Sequence, residues 1–544
     1  MHAFNPLRRN LLFAGSLGAA ATALPTVSFA AETSKNSTAS LFDVRSHGAT
    51  GDGKTIDSPA INAAIEAAAQ AGGGIVFFPA GAYLSFSIRL KSHVYLHLSE
   101  GATIIAADSP KPGDATGYNG GVYDAAESNA PWEQYQDYGH NHWHNSLIWG
   151  ENIHDCGITG TGLVWGKGLS YGAERGVRGD YPQYNAEQAG VGNKAIALKN
   201  CRNVQFRDFS VLKGGHFAFL LTGVDNLVLE NLTIDTDRDG MDIDCCQNVR
   251  VSHCTVNSPW DDGICPKSSY ALGLNRPTRN LTIDSCFVTG YYALGSVLDG
   301  SFKKIPAQPM CGHNGRIKCG TESNGGFINI AISNCVFEGC QGYSLISADG
   351  AKIEDIAITN TTMRDLYSGP LFFYLGARLR GPKKSTTTGS IKRITVSNLV
   401  YSNAIRNSYS ILTGLPDHPI EDVKLSNIFI ETTGGGTEEM ARHTLDDVTT
   451  KYPETTMFGP APAAGFYLRH MQRVEMSHIE ITHARPEARP AFHLHEVERA
   501  DFFAVTAPRT NAGAFVLERV KDLRIGWSRA AADTALAEAD NKTL

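Results

Sequence analysis

Five aspartates fall within the ten positions Asp235 to Asp244, and an Asp-Asp pair follows at Asp261-Asp262. Carboxylates held this close raise the pKa of at least one of them, which is what a general acid at neutral pH requires. Hydrolysis of a glycosidic bond needs two such groups, an acid for the leaving oxygen and a base for the water. Asp239, Asp261 and Asp262 could supply both. Turn chemistry accounts for Asp235, Asp237 or Asp244 taken singly, since Asp favours tight turns, and hard oxygen ligands also suit calcium. Neither accounts readily for an Asp-Asp pair followed by an apolar run and Lys267. Downstream, Arg316 and Lys318 sit at positions i and i+2 and so share one face of a short strand. Beside a carboxylate wall they read as a grip on an acidic sugar, or as cations that neutralise the protein's own aspartates.

A repeat must position these groups. The pattern reads NVQFRDFSV from Asn203, NLVLENLTI from Asn226, NVRVSHCTV from Asn248 and NLTIDSCFV from Asn280. Further copies start at Asn329, Asp355, Arg393, Asp422 and Arg473. Each alternates apolar and polar residues with period two, a strand signal. The shortest spacing, about 22 residues, marks one coil of a solenoid, and longer spacings mark a coil with a loop or two coils. Such coils bury a continuous interior only when stacked. The expected fold is all-β, a single-stranded right-handed parallel β-helix. Asp239 and Asp262 are one coil apart, so their carboxylates are expected on neighbouring rungs roughly 4.8 Å apart. A sandwich of regular strands, the competing architecture, needs neither the constant minimum period nor the recurring residue types.

An N-terminal helical cap should cover one open end of the solenoid. Asp57 and Ser58 can cap a helix with Pro59 in its first turn, and Gly72-Gly73-Gly74 can end it. Cys254, Cys286 and Cys335 repeat at one coil position, which predicts a ladder of buried thiols more readily than disulfides. The chain divides into an export segment at 1–30, the cap and first coils at 31–107, and the β-helix at 108–544 with a C-terminal tail from about 525. Arg8-Arg9, the apolar run that follows and Ser28-Phe29-Ala30 form a cleavable export signal, of twin-arginine or general type. The protein is therefore expected in the periplasm or outside the cell, without a membrane anchor. The 544 residues carry a net charge of −7 with 19% charged residues, too apolar for a disordered chain and without a basic patch for nucleic acid.

These motifs resemble glycoside hydrolase family 28, the polygalacturonase family of right-handed β-helices. Its Asn-Thr-Asp-Gly signature falls on Asp237-Arg238-Asp239-Gly240, its Asp-Asp pair on Asp261-Asp262 and its Arg-Ile-Lys motif on Arg316-Ile317-Lys318. Phe42 to Thr103 resembles the N-terminal cap of pectin-degrading β-helices. The resemblance implies that Asp261 is the general acid, that Asp239 and Asp262 activate the water with inversion, and that Arg316 and Lys318 hold the sugar. It also implies a pectic, uronate-containing substrate. The family's Gly-His-Gly is missing: the chain reads Gly290-Tyr291-Tyr292, and Tyr291 could serve in its place as a hydrogen-bonding or stacking group. A rhamnogalacturonan-type substrate is the alternative this departure raises.

Three insertions, Asp108 to Asn145, Tyr171 to Gln188 and Gly434 to Gly465, are expected to narrow the groove to a pocket and favour action on chain ends. His140, His142 and His144 alternate beside Trp143 and fit loop packing better than a metal site. No metal or cofactor is expected. Two other classes remain open: a calcium-dependent β-eliminase of the pectate-lyase type, and a non-catalytic carbohydrate-binding β-helix.

Overall fold

The computed structural model describes residues 40–171, 184–304 and 313–544. The export segment, Cys311 and most of the insertion after Tyr171 lie outside them. The alternating repeats do form strands, and the strands stack in parallel. One interior position runs Val204, Leu227, Val249, Leu281, Ile330, Ile356, Ile394, Val423, Val474 and Ala500, each paired in register with the next. Every interval between the repeats is therefore a single coil. The long ones, such as Asn280 to Asn329, are one coil carrying a loop, never two coils. Among the described residues this gives one sheet of 31 strands and a second of six.

The polar residue that opens each repeat has a backbone role. Asn203, Asn226, Asn248, Asn280 and Asn329 all adopt left-handed backbone, with φ between 54° and 58°. Asn tolerates this region because its short amide can hydrogen-bond locally. From Asn226 on, each side-chain amide donates to the Asn one coil before it, at 2.9 to 3.1 Å, and Asn203 donates to Asp155. From Asp355 onward the same position holds Asp355, Arg393, Asp422 and Arg473, and ion pairs replace the amide ladder. The ten cysteines among the described residues are buried and free.

A helix spans Ser58–Gln70 and buries Ile61, Ala64, Ile65 and Ala68. It packs on the strands Leu41–Asp43 and Gly74–Phe78. Asp57 does not cap it. Its carboxylate turns away to accept from the Thr50 and Gly51 amides, at 2.7 and 3.0 Å, because the turn before it leaves two donors without partners. At the other end the residues after 525 fold back, with Thr534–Ala539 pairing antiparallel to Val520–Gly526.

The six-stranded sheet positions the site. Its strands are Ile88–Arg89, Ile148–Glu151, Ile196–Lys199, Phe219–Thr222, Met241–Asp244 and Ile264–Lys267. One face enters the main core through Ile148, Ile196, Phe219, Met241 and Ile264. The other face presents Trp149, Ala197, Leu220, Asp242 and Cys265 in register.

Asn280→Val should lower stability by about 1–2 kcal/mol, since a β-branched residue is strained at positive φ and breaks the ladder. Asn280→Gly should recover the strain component. Guanidinium unfolding midpoints measure both, and coincident midpoints would show that the ladder contributes nothing.

Candidate active site

The carboxylates converge because glycine lets adjacent coils touch. A Cβ on Gly240 would lie 2.5 Å from the Gly263 carbonyl oxygen, and one on Gly263 would lie 2.8 Å from that of Gly315. The three glycines stack one above another, and each carries a site residue beside it: Asp239, Asp262 and Arg316. The Gly240 amide donates to the Asp262 carbonyl at 3.0 Å, and the Asp262 amide donates to Asp239 Oδ1 at 3.1 Å.

Asp239, Asp261 and Asp262 thereby bring carboxylate oxygens within 4.8 Å of one another. All three are buried, Asp261 the least, at 8% exposure against 2% and 1%. Four cations surround them. Arg316 Nε and Lys318 Nζ each donate to Asp262 at 2.8 Å. Arg238 reaches Asp261 at 3.2 Å. Lys267 lies 3.5 Å from Asp239, 3.5 Å from Asp242 and 3.2 Å from Glu322. Lys267, Arg316 and Lys318 are thus built into the wall and neutralise the protein's own carboxylates.

The environments push the carboxyls apart. Burial and the neighbouring Asp261 charge raise Asp239 to about 7. Burial and Asp239 drive Asp242 well above the usual carboxylate range. Burial acts on Asp262 in the same direction, but Lys318 and Arg316 outweigh it and hold the group below its ordinary value. A group near 7 beside one that stays ionised is the division of labour that acid–base chemistry at neutral pH uses. The macroscopic steps belong to the cluster as a whole.

Several contributors were not singled out from the sequence. Asp242 and Glu322 complete the pairing of Lys267, and Arg380 joins Glu322 at 2.9 Å. His140 sits within ligand distance of Asp239 and Asp242 and stacks on Phe217. Burial lowers it to about 4, so it is neutral. The three alternating histidines do not converge: His142 stacks on Tyr138, and His144 meets Glu127 and Glu151. Asp235 and Asp244 serve local structure, accepting from Asn257 and from Ser269. Tyr291 stands in an aromatic group with Tyr292 and His313, with Lys304 over its ring.

Two insertions close over the site. The first lays Trp143 on Ala197, Leu220 and Phe217, with the indole donating to Thr222 at 3.2 Å. The stretch Gly434 to Gly465 buries Leu445, Phe458 and Ala461 against Ile346, Phe372, Tyr374 and Ile411 on later coils. Its Glu454 takes the Arg316 guanidinium at 2.6 and 3.2 Å. Its Tyr452 hydroxyl lies 3.4 Å from Lys318, while the residue as a whole stays about half exposed. One insertion thus packs on the coils before the carboxylates and the other on the coils after them.

Comparison with known proteins agrees with this geometry. Residues 41–132 match "Rhamnogalacturonase A/epimerase, pectate lyase-like", and residues 128–276 match "Glycosyl hydrolases family 28". A probable polygalacturonase of Vitis vinifera is 26% identical over 329 residues, 56% of this chain. The match spans 61% of that protein's length. The crystal structure of a hyperthermoactive exopolygalacturonase from Thermotoga maritima superposes with a TM-score of 0.58 at 17% identity, covering 81% of this chain and 92% of its own. A tailspike protein of an E. coli bacteriophage, in complex with a pentasaccharide, gives 0.52 at 11% identity, covering 90% and 78%. The structural likenesses establish the parallel β-helix fold.

The raised Asp239 has a consequence for stability. Above its ordinary value of 3.8 the unfolded chain sheds this proton while the folded chain keeps it. Folding is therefore penalised increasingly between pH 4 and 7, and the penalty is complete above 7. Asp239→Asn, which keeps the acceptor for the Asp262 amide, should stabilise the protein on the order of 2–4 kcal/mol at pH 8 and little at pH 4. Thermal unfolding at the two pH values measures this. Equal shifts would show that burial of this carboxyl costs nothing.

Proposed function

From a chain that carries a family 28 glycosyl hydrolase segment, we propose a glycoside hydrolase that cleaves a uronate-containing pectic carbohydrate from chain ends, outside the cytoplasm. The observation that carries it is the stack of Asp239, Asp261 and Asp262 against four cations. Asp261, the most accessible of the three, protonates the leaving oxygen. Asp239 and Asp262 hold and activate the water, Asp239 as the group poised near neutrality and Asp262 as a fixed acceptor. Arg316 and Lys318 keep Asp262 ionised and in place. The cations make calcium superfluous here: both oxygens of Asp262 already accept from Arg316 and Lys318, and an added divalent ion would face Lys267 as well. Activity should therefore persist in chelator.

End-wise action rests on the two insertions, which pack on the coils before and after the carboxylates. The fold-mate from Thermotoga maritima is described as an exopolygalacturonase, which agrees with end-wise action. Monomer or short oligomer should dominate the products from the first minutes, and an early spread of intermediate lengths would refute end-wise cleavage.

One observation favours a second reading of the stereochemistry. The carboxylate oxygens are closer than the roughly 6.5–9.5 Å between the acid and base of an ordinary inverting pair, and nearer the roughly 5–5.5 Å of a retaining one. Inversion here requires the water to stand beside the cluster, held jointly by Asp239 and Asp262. Proton NMR of the first-formed anomer decides the matter: inversion is expected, and retention would make one of the carboxylates a nucleophile. Asp261→Asn should lower kcat by about 10²–10⁴-fold with an unchanged circular dichroism spectrum. A fully active Asp261→Asn would overturn the assignment of the acid.

A further inference from the structure

A uronate held at the cleavage site needs a cation with free donors. Three of the four cations that line this site have given theirs to the protein, while Arg238, which reaches Asp261 through one nitrogen, keeps an unpartnered Nε. Arg316 is 1% exposed, and its three nitrogens are all engaged: Nε by Asp262, Nη1 by Gln341 and Glu454, Nη2 by Glu454. Lys318, 2% exposed, is held by Asp262 and by the Tyr452 hydroxyl. Lys267 is enclosed by Asp239, Asp242 and Glu322. A further carboxylate seated against Arg316 and Lys318 would meet Asp261, Asp262 and Glu454 with neither of those two cations unpaired to offset them, in a site where burial amplifies repulsion.

Glu454 comes from an insertion rather than from a coil, and it approaches Arg316 through both oxygens, the two-pronged geometry of carboxylate recognition. It stands where the carboxylate of an acidic sugar would stand. Beside it Tyr452, about half exposed and fixed through its hydroxyl by Thr321 at 3.0 Å, offers an apolar platform suited to the C–H face of an uncharged pyranose. We propose that the sugar seated against Arg316 and Lys318 is a neutral glycosyl residue, with Glu454 supplying from within the chain the carboxylate that a uronate would bring. This rests on the glycosidase reading and narrows it: the pectic substrate ends in, or presents at the cleaved bond, an uncharged residue, and its uronates lie further along the chain.

The test uses the mature full-length protein and two galacturonate oligomers, identical except that the non-reducing residue is galactose in one and galacturonate in the other. The wild type should favour the galactose-ended oligomer by at least tenfold in kcat/KM. Glu454→Gln keeps the shape but frees the charge of Arg316, so the ratio should move toward the galacturonate-ended oligomer by tenfold or more, chiefly through KM. Preference of the wild type for the uronate end would overturn the inference, as would a ratio unmoved in Glu454→Gln, which would mean that Glu454 swings aside. Inactivity on both oligomers and on a broader pectic panel would count against the glycosidase reading instead. Calorimetric titration of Asp261→Asn with galactose and with galacturonate then decides the inference alone: tighter galacturonate binding overturns it, and tighter galactose binding that reverses when Glu454→Gln is added supports it.

Discussion

Burying carboxylates without water is costly unless positive charge is buried with them. Everything around Asp239, Asp261 and Asp262 answers to that constraint. Lys267, Arg316 and Lys318 are buried themselves and would be as costly alone. The assembly holds because each ion is placed by a coil, at a spacing that the sheet ladder fixes. Stacking supplies the geometry and paired charge makes that geometry tolerable. The remaining imbalance is carried as protons: Asp239 and Asp242 are driven upward, and they share the single cation Lys267 with each other and with Glu322. A proton retained near neutrality is thus a product of incomplete neutralisation, and it is the property that the proposed chemistry uses.

The same constraint explains why the glycines beside the site residues carry information. Adjacent coils approach so closely at Gly240, Gly263 and Gly315 that a methyl group would strike backbone. Larger residues would push the coils apart, and the carboxylates would lose their cations with the spacing. In Asp239-Gly240 and Asp262-Gly263 the glycine makes room and the aspartate uses it.

Much of this was legible in the sequence because a solenoid converts sequence period into position. The 23-residue interval between Asp239 and Asp262 put them on neighbouring rungs, and the i, i+2 spacing of Arg316 and Lys318 put both on one face. What stayed hidden lay off the period. Glu454 and Tyr452 sit in an irregular insertion whose path no repeat fixes, and His140 reaches Asp239 from another insertion, about a hundred residues earlier in the chain. The sequence showed that the insertions were long and aromatic, but not which residue would touch which cation. Asp57 was misread for a local reason: two amides in the preceding turn competed for its carboxylate with the helix end, and won. The long repeat intervals were ambiguous because a loop and a coil can have equal length, and only register tells them apart.

The missing histidine at Gly290-Tyr291-Tyr292 shows how such a scaffold absorbs a departure. Space beside Gly290 is taken by the backbone of His313 and Asn314, so a side chain there has no room. His313 arrives from the segment that leads into Gly315-Arg316. It stacks on Tyr367 with ring centroids 3.6 Å apart, meets Tyr291 edge-on at 6.0 Å, and burial lowers it to about 4. A histidine is therefore present near this turn, but it is neutral, 2% exposed and committed to an aromatic stack. It can stiffen the segment that carries Arg316, which Asn314 and Gly315 also tie down by donating to the Pro259 and Asp261 carbonyls. It cannot bring positive charge to a substrate. With the motif histidine gone and Arg316 and Lys318 already paired, the cationic character that an acidic sugar would require has been withdrawn at both of those places, and Arg238 is left as the site cation with an unpartnered nitrogen.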